Sequence, residues 1–408
     1  MLNFIWAGFF IISFIFATYQ FFVSGDVSIW SSIVSATFNS AKSAFEICLN
    51  LTGILCLWLG LLKIAEASGL VNFLAKLLTP LFRRIMPEVP EDNPALGSIL
   101  MNMAANILGL DNAATPIGLK AMEQLQAINP SSQIASKAQQ LFMVINASAV
   151  TLIPITILMY RSELGATNPT AVFIPILLAT SISTLVGFLS IALIQKLNIF
   201  NKVVMVYVLF AVIFVIIVAW CFIRLSAEER LIISSGMGNF ILFSTMILFI
   251  LSGFIKKINV YDKFIEGAKE GFSVAIKIIP YLVAMLVAIA VLRASGVLDS
   301  FVDLMEDFFA ILGFDTQFVK ALPTAILKPL SGSGARAMMI ETMQTYGADS
   351  FAGFVSSVVQ GSTETTFYVL ALYFGAVRIS NVGATLPCAL LADLAGIISA
   401  IYFSYIFF

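Results

Sequence analysis

The sequence predicts an all-α polytopic membrane protein of two inverted repeats, each with a re-entrant hairpin and a broken transmembrane helix, and about nine full spans in all. Three observations carry this prediction. Of 408 residues, 60% are hydrophobic and 11% charged, against about 25% charged in an average globular chain. Apolar runs of about 20 residues, the length of helix that crosses hydrocarbon, recur along the chain. Two stretches in corresponding places interrupt apolar sequence with polar tips rich in Gly, Pro and Ser, the mark of a binding site between transporter repeats.

Composition also excludes chemistry. There is no His, so a His-ligated metal, a Ser-His-Asp triad and a histidine proton relay are absent. Cys48, Cys56, Cys221 and Cys388 all sit in apolar stretches without a C-x-x-C pair, which suits packing rather than redox work. With 22 basic and 23 acidic residues the chain has no basic field for nucleic acid. The N-terminal stretch MLNFIWAGFFIISFIFATYQFFV lacks a basic leader and a small-residue cleavage site, so it reads as a retained first span. No nucleotide-binding Gly loop and no nucleophile elbow is present, and no enzymatic activity or cofactor is expected.

Taken in order, apolar spans are predicted near 3–23, 44–66, 136–160, 169–195, 203–223, 236–255, 271–293, 352–377 and 382–407. Segments 27–43, 69–86, 258–270 and 296–312 are apolar on one side only, as in helices lying at the interface. Residues 95–127 and 317–346 each set a polar tip between short apolar arms and read as re-entrant hairpins, tolerable only where protein or a watered cavity satisfies the backbone. The halves match: Ala67-Ser68-Gly69 aligns with Ala294-Ser295-Gly296, and Asn146 and Ser148 align with Gln360 and Ser362, in two repeats of roughly 160 residues.

An odd number of crossings, about five, separates Gly69 from Gly296, which inverts the second repeat. Charge placement agrees. Lys76, Arg83, Arg84, Lys196, Lys202, Lys256, Lys257, Lys263, Lys269 and Arg378 fall on one side, against Lys42, Arg161, Arg224 and Arg230 on the other. By the positive-inside rule the N-terminus is cytoplasmic and the C-terminus external. The amphipathic helix with Arg83 and Arg84 then lies inside, and its counterpart with Asp299, Asp303, Glu306 and Asp307 outside.

The candidate ligand groups cluster at the interruptions. In repeat one they are Asn112 and Thr115 at the hairpin tip, then Asn146 and Ser148 in the crossing span, where Thr151 and Pro154 follow. Carboxamides and hydroxyls offer donors and acceptors without a permanent charge, which suits a neutral solute that forms many hydrogen bonds. The competing reading is that they satisfy backbone groups freed by a kink. Repeat two offers Ser331, Ser333 and Arg336 on the hairpin, then Gln360, Ser362, Thr363 and Glu364 within an apolar span. A carboxylate at that depth is costly, so Glu364 must face a cavity or a partner, with Arg336 as the alternative structural partner. Asn102, Asn106, Glu123, Glu341 and Asp393 are secondary candidates, as are Glu46, Asn50 and Lys277.

Residues 58–69 (WLGLLKIAEASG) and 102–123 (NMAANILGLDNAATPIGLKAME) resemble the bacterial spore maturation protein A family. Residues 271–407, with RASGVLD, KPLSGSGARAM, QGSTETTFYVLALYFG and ALLADL, resemble the spore maturation protein B family. The resemblance implies a fusion of both: an A-like Gate repeat at 1–198, a joining helix and loop at 199–235, and a B-like Gate repeat at 236–408. Gate, or nucleoside-recognition, domains are similar to the core of concentrative nucleoside transporters, where a GQTE-like string and a Ser/Asn-rich partner bind nucleoside and cation. Gln360, Thr363 and Glu364 resemble that string in composition, although they lie after the hairpin rather than in it.

The expected function is transport of a small polar, nucleoside-like solute across the bacterial inner membrane. The alternative is a non-transport scaffold or regulator of envelope assembly or spore-core dehydration. The expected partners are the lipid bilayer and the solute, with no nucleic acid. A homo-oligomer and a coupling cation, Na+ or a proton, are left open.

Overall fold

The computed structural model describes residues 2–90, 92–108, 111–148 and 151–408, with backbone alone at 2, 111–113 and 227. Every regular element among them is helical, and Ile134 and Asn381 form an isolated β-bridge. The chain opens with α1 (Leu2–Ser24), then enters two series of elements in the same order.

The first series is α2 (Ser28–Ala67), α3 (Leu70–Ile85), the hairpin α4 (Pro94–Ile107) and α5 (Asp111–Ala127), the split pair α6 (Lys137–Ala147) and α7 (Ile155–Glu163), and α8 (Phe173–Gln195). Then come α9 (Lys202–Ile223) and α10 (Ala227–Ile255). The second series is α11 (Val260–Ala294), α12 (Val297–Ile311), the hairpin α13 (Leu322–Leu327) and α14 (Gly332–Tyr346), the split pair α15 (Phe351–Ser362) and α16 (Thr366–Ala376), and α17 (Thr385–Phe407).

Among the described residues, seven helices are long and apolar enough to cross a membrane: α1, α2, α8, α9, α10, α11 and α17. Long apolar side chains on α1, α9 and α10, among them Phe4, Phe210 and Phe240, stay exposed. In hydrocarbon that exposure carries no penalty, because lipid tails are as apolar as the side chains. The other two expected spans, 136–160 and 352–377, are each divided into short helices of 11 and 9 residues and of 12 and 11 residues.

The expected interfacial helices at 27–43 and 258–270 are not separate elements. They are the first turns of α2, with 40 residues, and of α11, with 35. Polar side chains lowered the local hydropathy there, but no proline or capping residue stops the helix. At about 1.5 Å per residue both outrun the ~30 Å hydrocarbon core. Likewise α10 starts at Ala227 rather than near 236, because Ser226 and Glu229 form a capping box that nucleates it. The boundary drawn at 236 therefore falls inside a continuous helix.

Both amphipathic helices begin alike. Gly69 and Gly296, at φ 78° and 80°, turn the chain out of α2 and α11, a conformation that costs other residues roughly 1–2 kcal/mol. Ser68 and Ser295 donate hydroxyl hydrogen bonds to Ala65 and Leu292 carbonyls at 2.9 and 3.0 Å. The apolar stripe of α3 buries Val71, Ala75, Phe82 and Ile85.

Equivalent helices pack against each other. Gly60 meets Phe264, Gly267 meets the Leu59 carbonyl and Gly271 the Leu55 carbonyl, so α2 and α11 run antiparallel in close contact. Small residues allow this backbone approach. Lys63 at their shared end sits 3.1 Å from Glu270, 3.2 Å from Glu66 and 3.6 Å from Glu266. Gly187 touches Ala392 and Gly396 touches Ser183, which makes α8 and α17 antiparallel as well.

The halves are also clasped at two places. Buried Arg161, closing α7, donates to the Ala348 carbonyl at 2.9 Å and approaches Asp349 at 3.5 Å, while the Thr167 amide donates to Asp349 at 2.8 Å. Beyond α16, the Asn381 amide donates to the Gln133 carbonyl at 2.9 Å and the Ala135 amide to the Asn381 carbonyl at 2.9 Å. Outside the spans, Asp315 accepts from the Gln317 amide and from the Tyr405 hydroxyl at the end of α17, and these bonds hold its carboxyl below the usual range.

Candidate functional site

The two split spans break within one residue of positions the alignment pairs: α6 ends at Ala147, just before Ser148, and α15 at Ser362, with which Ser148 aligns. Thr363 is extended at φ −148° and ψ 175°, and α16 resumes after Thr365. The breaks meet. The Glu364 amide donates to the Ala147 carbonyl at 3.0 Å, so a backbone donor freed in one half satisfies an acceptor freed in the other. The Thr184 hydroxyl donates to the Ser148 carbonyl, the Leu152 amide to Ile107 at 3.0 Å, and the Phe367 amide to Pro329 at 3.0 Å. Each hairpin is thus tied to the adjacent break.

Hairpin one is held by a chain of carboxamides. Asn102 donates to the Ala114 carbonyl at 2.7 Å and thereby joins the hairpin arms. Asn106 donates to Asn146 at 2.9 Å and to Asn102 at 3.4 Å, and Asn146 donates to the Phe142 carbonyl at 2.9 Å. Hairpin two starts α14 with Ser331, whose hydroxyl accepts from the Gly334 amide at 3.0 Å. Gly332 lies so near the second break that a Cβ there would stand 2.6 Å from the Thr365 hydroxyl.

Two cavities open around the breaks. The larger, about 560 Å³, is lined by Asn106, Thr115, Asn146, Ser331, Ser333, Arg336 and Glu364, with Tyr281, Phe367, Tyr368 and Tyr373 as aromatic walls. The smaller, about 120 Å³, is lined by Thr151, Tyr160, Lys328, Gln360, Thr363, Arg336 and Glu364. Glu364 and Arg336 therefore stand between the two. They form no ion pair with each other. Arg336 lies instead over the Tyr160 ring, 6.0 Å from its centroid. Among the described residues nothing bonds the half-buried Glu364 carboxylate, which leaves it open to the cavities.

The remaining expected residues fall in different places. Ser148 and Ser362 spend their hydroxyls on Val144 and Val359 within their own helices, at 2.9 Å each. The side chain of Asn112 lies outside the described residues. Glu123 is exposed on α5, and Lys277 on α11. Glu46 faces Lys42 at 3.7 Å, and Asn50 donates to Glu163 at 2.6 Å. Glu341 is held by Arg293, which also reaches Asp299 at 2.6 Å. Asp393 is 1% exposed on α17, behind the second break.

Sequence reasoning passed over Tyr160, Tyr281, Tyr368, Tyr373 and Lys328 at the cavities. Lys328, only 4% exposed, carried the usable signal, since a lysine inside an apolar stretch is rarely there by default. The tyrosines carried none, because aromatic residues are common throughout this chain.

Comparison with known proteins places this architecture. The family model described as Gate, nucleoside recognition, matches residues 48–167 and 275–380, more than half of the chain and both split spans. Spore maturation protein B of Bacillus subtilis (strain 168) is 49% identical over 152 residues, covering 37% of this chain and 84% of that protein. Spore maturation protein A of the same organism is 39% identical over 183 residues, covering 45% of this chain and 90% of that protein. No solved structure gives a match. One chain with relatives of both kinds is what a fused A and B protein would have, as the motifs led us to expect. This multi-pass membrane protein belongs to the Gate, nucleoside-recognition family.

Proposed function

We propose that the protein is a translocator for a small polar solute of the nucleoside class, which binds where the two breaks meet. The observation that carries this reading is the open, unpaired Glu364 beside Arg336 in a cavity of about 560 Å³, within the ~300–1,000 Å³ of small-molecule sites. Its carboxamides, hydroxyls, guanidinium and carboxylate match the donors and acceptors of a base and a ribose. Its tyrosines and Phe367 offer faces on which a base stacks. The family's description as nucleoside recognition supports the same class.

In this reading the halves are inverted repeats in the bacterial cytoplasmic membrane, with the N-terminus inside and the C-terminus outside, and alternating access rocks one against the other. Antiparallel packing of α2 on α11 and of α8 on α17 supports inversion, since a two-fold axis in the membrane plane reverses equivalent helices. The reciprocal clasps support it too: each ties the end of one half's split span to the loop before the other half's split span.

The test is isothermal calorimetry of uridine and adenosine with the purified protein in nanodiscs. Glu364→Gln and Asn146→Ala should each weaken binding at least about tenfold, or about 1.4 kcal/mol, with unchanged circular dichroism. Failure of every nucleoside to bind overturns the solute class, and equal binding by both variants overturns the site. The scaffold reading, to which the relatives' names lend weight, gains if cells carrying Glu364→Gln keep full function.

A further inference from the structure

A second ionisable group lies behind the site, and the solute pathway does not use it. Asp393, midway along α17, is 1% exposed, and among the described residues neither of its carboxylate oxygens has a hydrogen-bond partner. The Thr366 hydroxyl beside it, buried at 0% exposure, is likewise without a hydrogen-bond partner among the described residues. Such a cluster is expensive unless something is taken up there, because a bare carboxylate in a dry interior is far costlier than a neutral acid.

Its surroundings are well defined. The hydroxyls of Thr363 and Thr366 are adjacent to the carboxylate, and the charges that reach it are those of Lys328 and Glu364. One turn on, Gly396 packs against the Ser362 carbonyl and the Thr363 methyl. From α8, Ser183 uses its hydroxyl on the Ala392 carbonyl at 2.9 Å and leaves Asp393 untouched. Thr363, whose hydroxyl donates to the Glu364 carbonyl at 3.2 Å, also lines the smaller cavity, so one residue borders both that space and the buried acid.

We propose that Asp393 is a proton-binding site, loaded from the smaller cavity through Thr363, with Thr366 holding the neutral acid. Uptake moves a proton from water to one carboxylate oxygen. The O–H formed there donates to a threonine hydroxyl, and release returns the proton to water with no other bond made or broken. A proton fits better than a metal cation: it needs one free oxygen, whereas Na+ needs a full shell of oxygen ligands and the flanking residues offer two hydroxyls. Because Asp393 sits against the hinge-like segment 363–365, its charge state is positioned to bias how the second break packs.

The claim does not depend on transport. It is tested on the full chain in lipid nanodiscs by infrared difference spectroscopy between acidic and alkaline buffer. The expected result is a protonated-carboxyl band at acidic pH, set apart in frequency from those of the exposed carboxyls by its dry surroundings, that is lost in Asp393→Asn, kept in Glu364→Gln, and unmoved when Na+ replaces K+. Thr366→Val should shift the frequency of that band, which keeps the test valid if Asp393→Asn does not fold. A band that survives in Asp393→Asn, the absence of any such band, or a band abolished by Na+ at constant pH overturns the proposal. Nucleoside binding is measured separately, so either reading can fail alone.

Discussion

Arg293 and Glu341 show how a single residue's role depends on its partner. Glu341 is 8% exposed and Arg293 21%, and the guanidinium engages both carboxylate oxygens while reaching Asp299 and the Tyr346 hydroxyl. The pair ties α14 to the end of α11, so this carboxylate is spent on structure. Removing one member of a buried pair leaves a stranded charge and costs about 3–5 kcal/mol, while replacing both with apolar residues is nearly neutral. Arg293→Met should therefore lower the thermal unfolding midpoint sharply, and Arg293→Met/Glu341→Met should recover most of the loss. Glu364 is the contrast: among the described residues its carboxylate has no such partner, and in the proposed function it is the one left for a ligand.

At the scale of elements, the tightest constraint is the antiparallel seam of α2 and α11. A Cβ on Gly267 would stand 2.2 Å from the Leu59 carbonyl oxygen, and backbone cannot step aside as a side chain can. Overpacking of this kind costs about 1–3 kcal/mol. Gly267→Ala should thus destabilise the purified protein, whereas Gly53→Ala, with nothing within 4 Å, should stabilise α2 by up to about 1 kcal/mol. Thermal melts of the two variants in one detergent check both signs. The order of elements was legible because Ala-Ser-Gly recurs where each long helix must turn sharply. The continuity of α2 and α11 was not, because hydropathy registers solvent preference while a helix ends only where a cap or proline ends it.

For the whole molecule, the arrangement of the halves decides which faces meet water. If they are inverted, Arg84 after the first long helix and Asp303 after the second lie on opposite sides. Single cysteines at these positions, in a background without the four native ones, should be labelled by an impermeant thiol reagent from opposite sides of sealed vesicles. Labelling from one side would sink the inverted arrangement.

By itself the sequence determined the solvent, the helical class, the family and the two-series order, because those follow from composition, period and local punctuation. It also marked the polar strings at which both spans break. Only the tertiary structure decided that the breaks meet through Glu364 and Ala147, that Arg336 rests on Tyr160 rather than on Glu364, and that Asp393 has no hydrogen-bond partner among the described residues. Pairing depends on which helices cross and at what depth, and that is set by contacts among residues hundreds of positions apart.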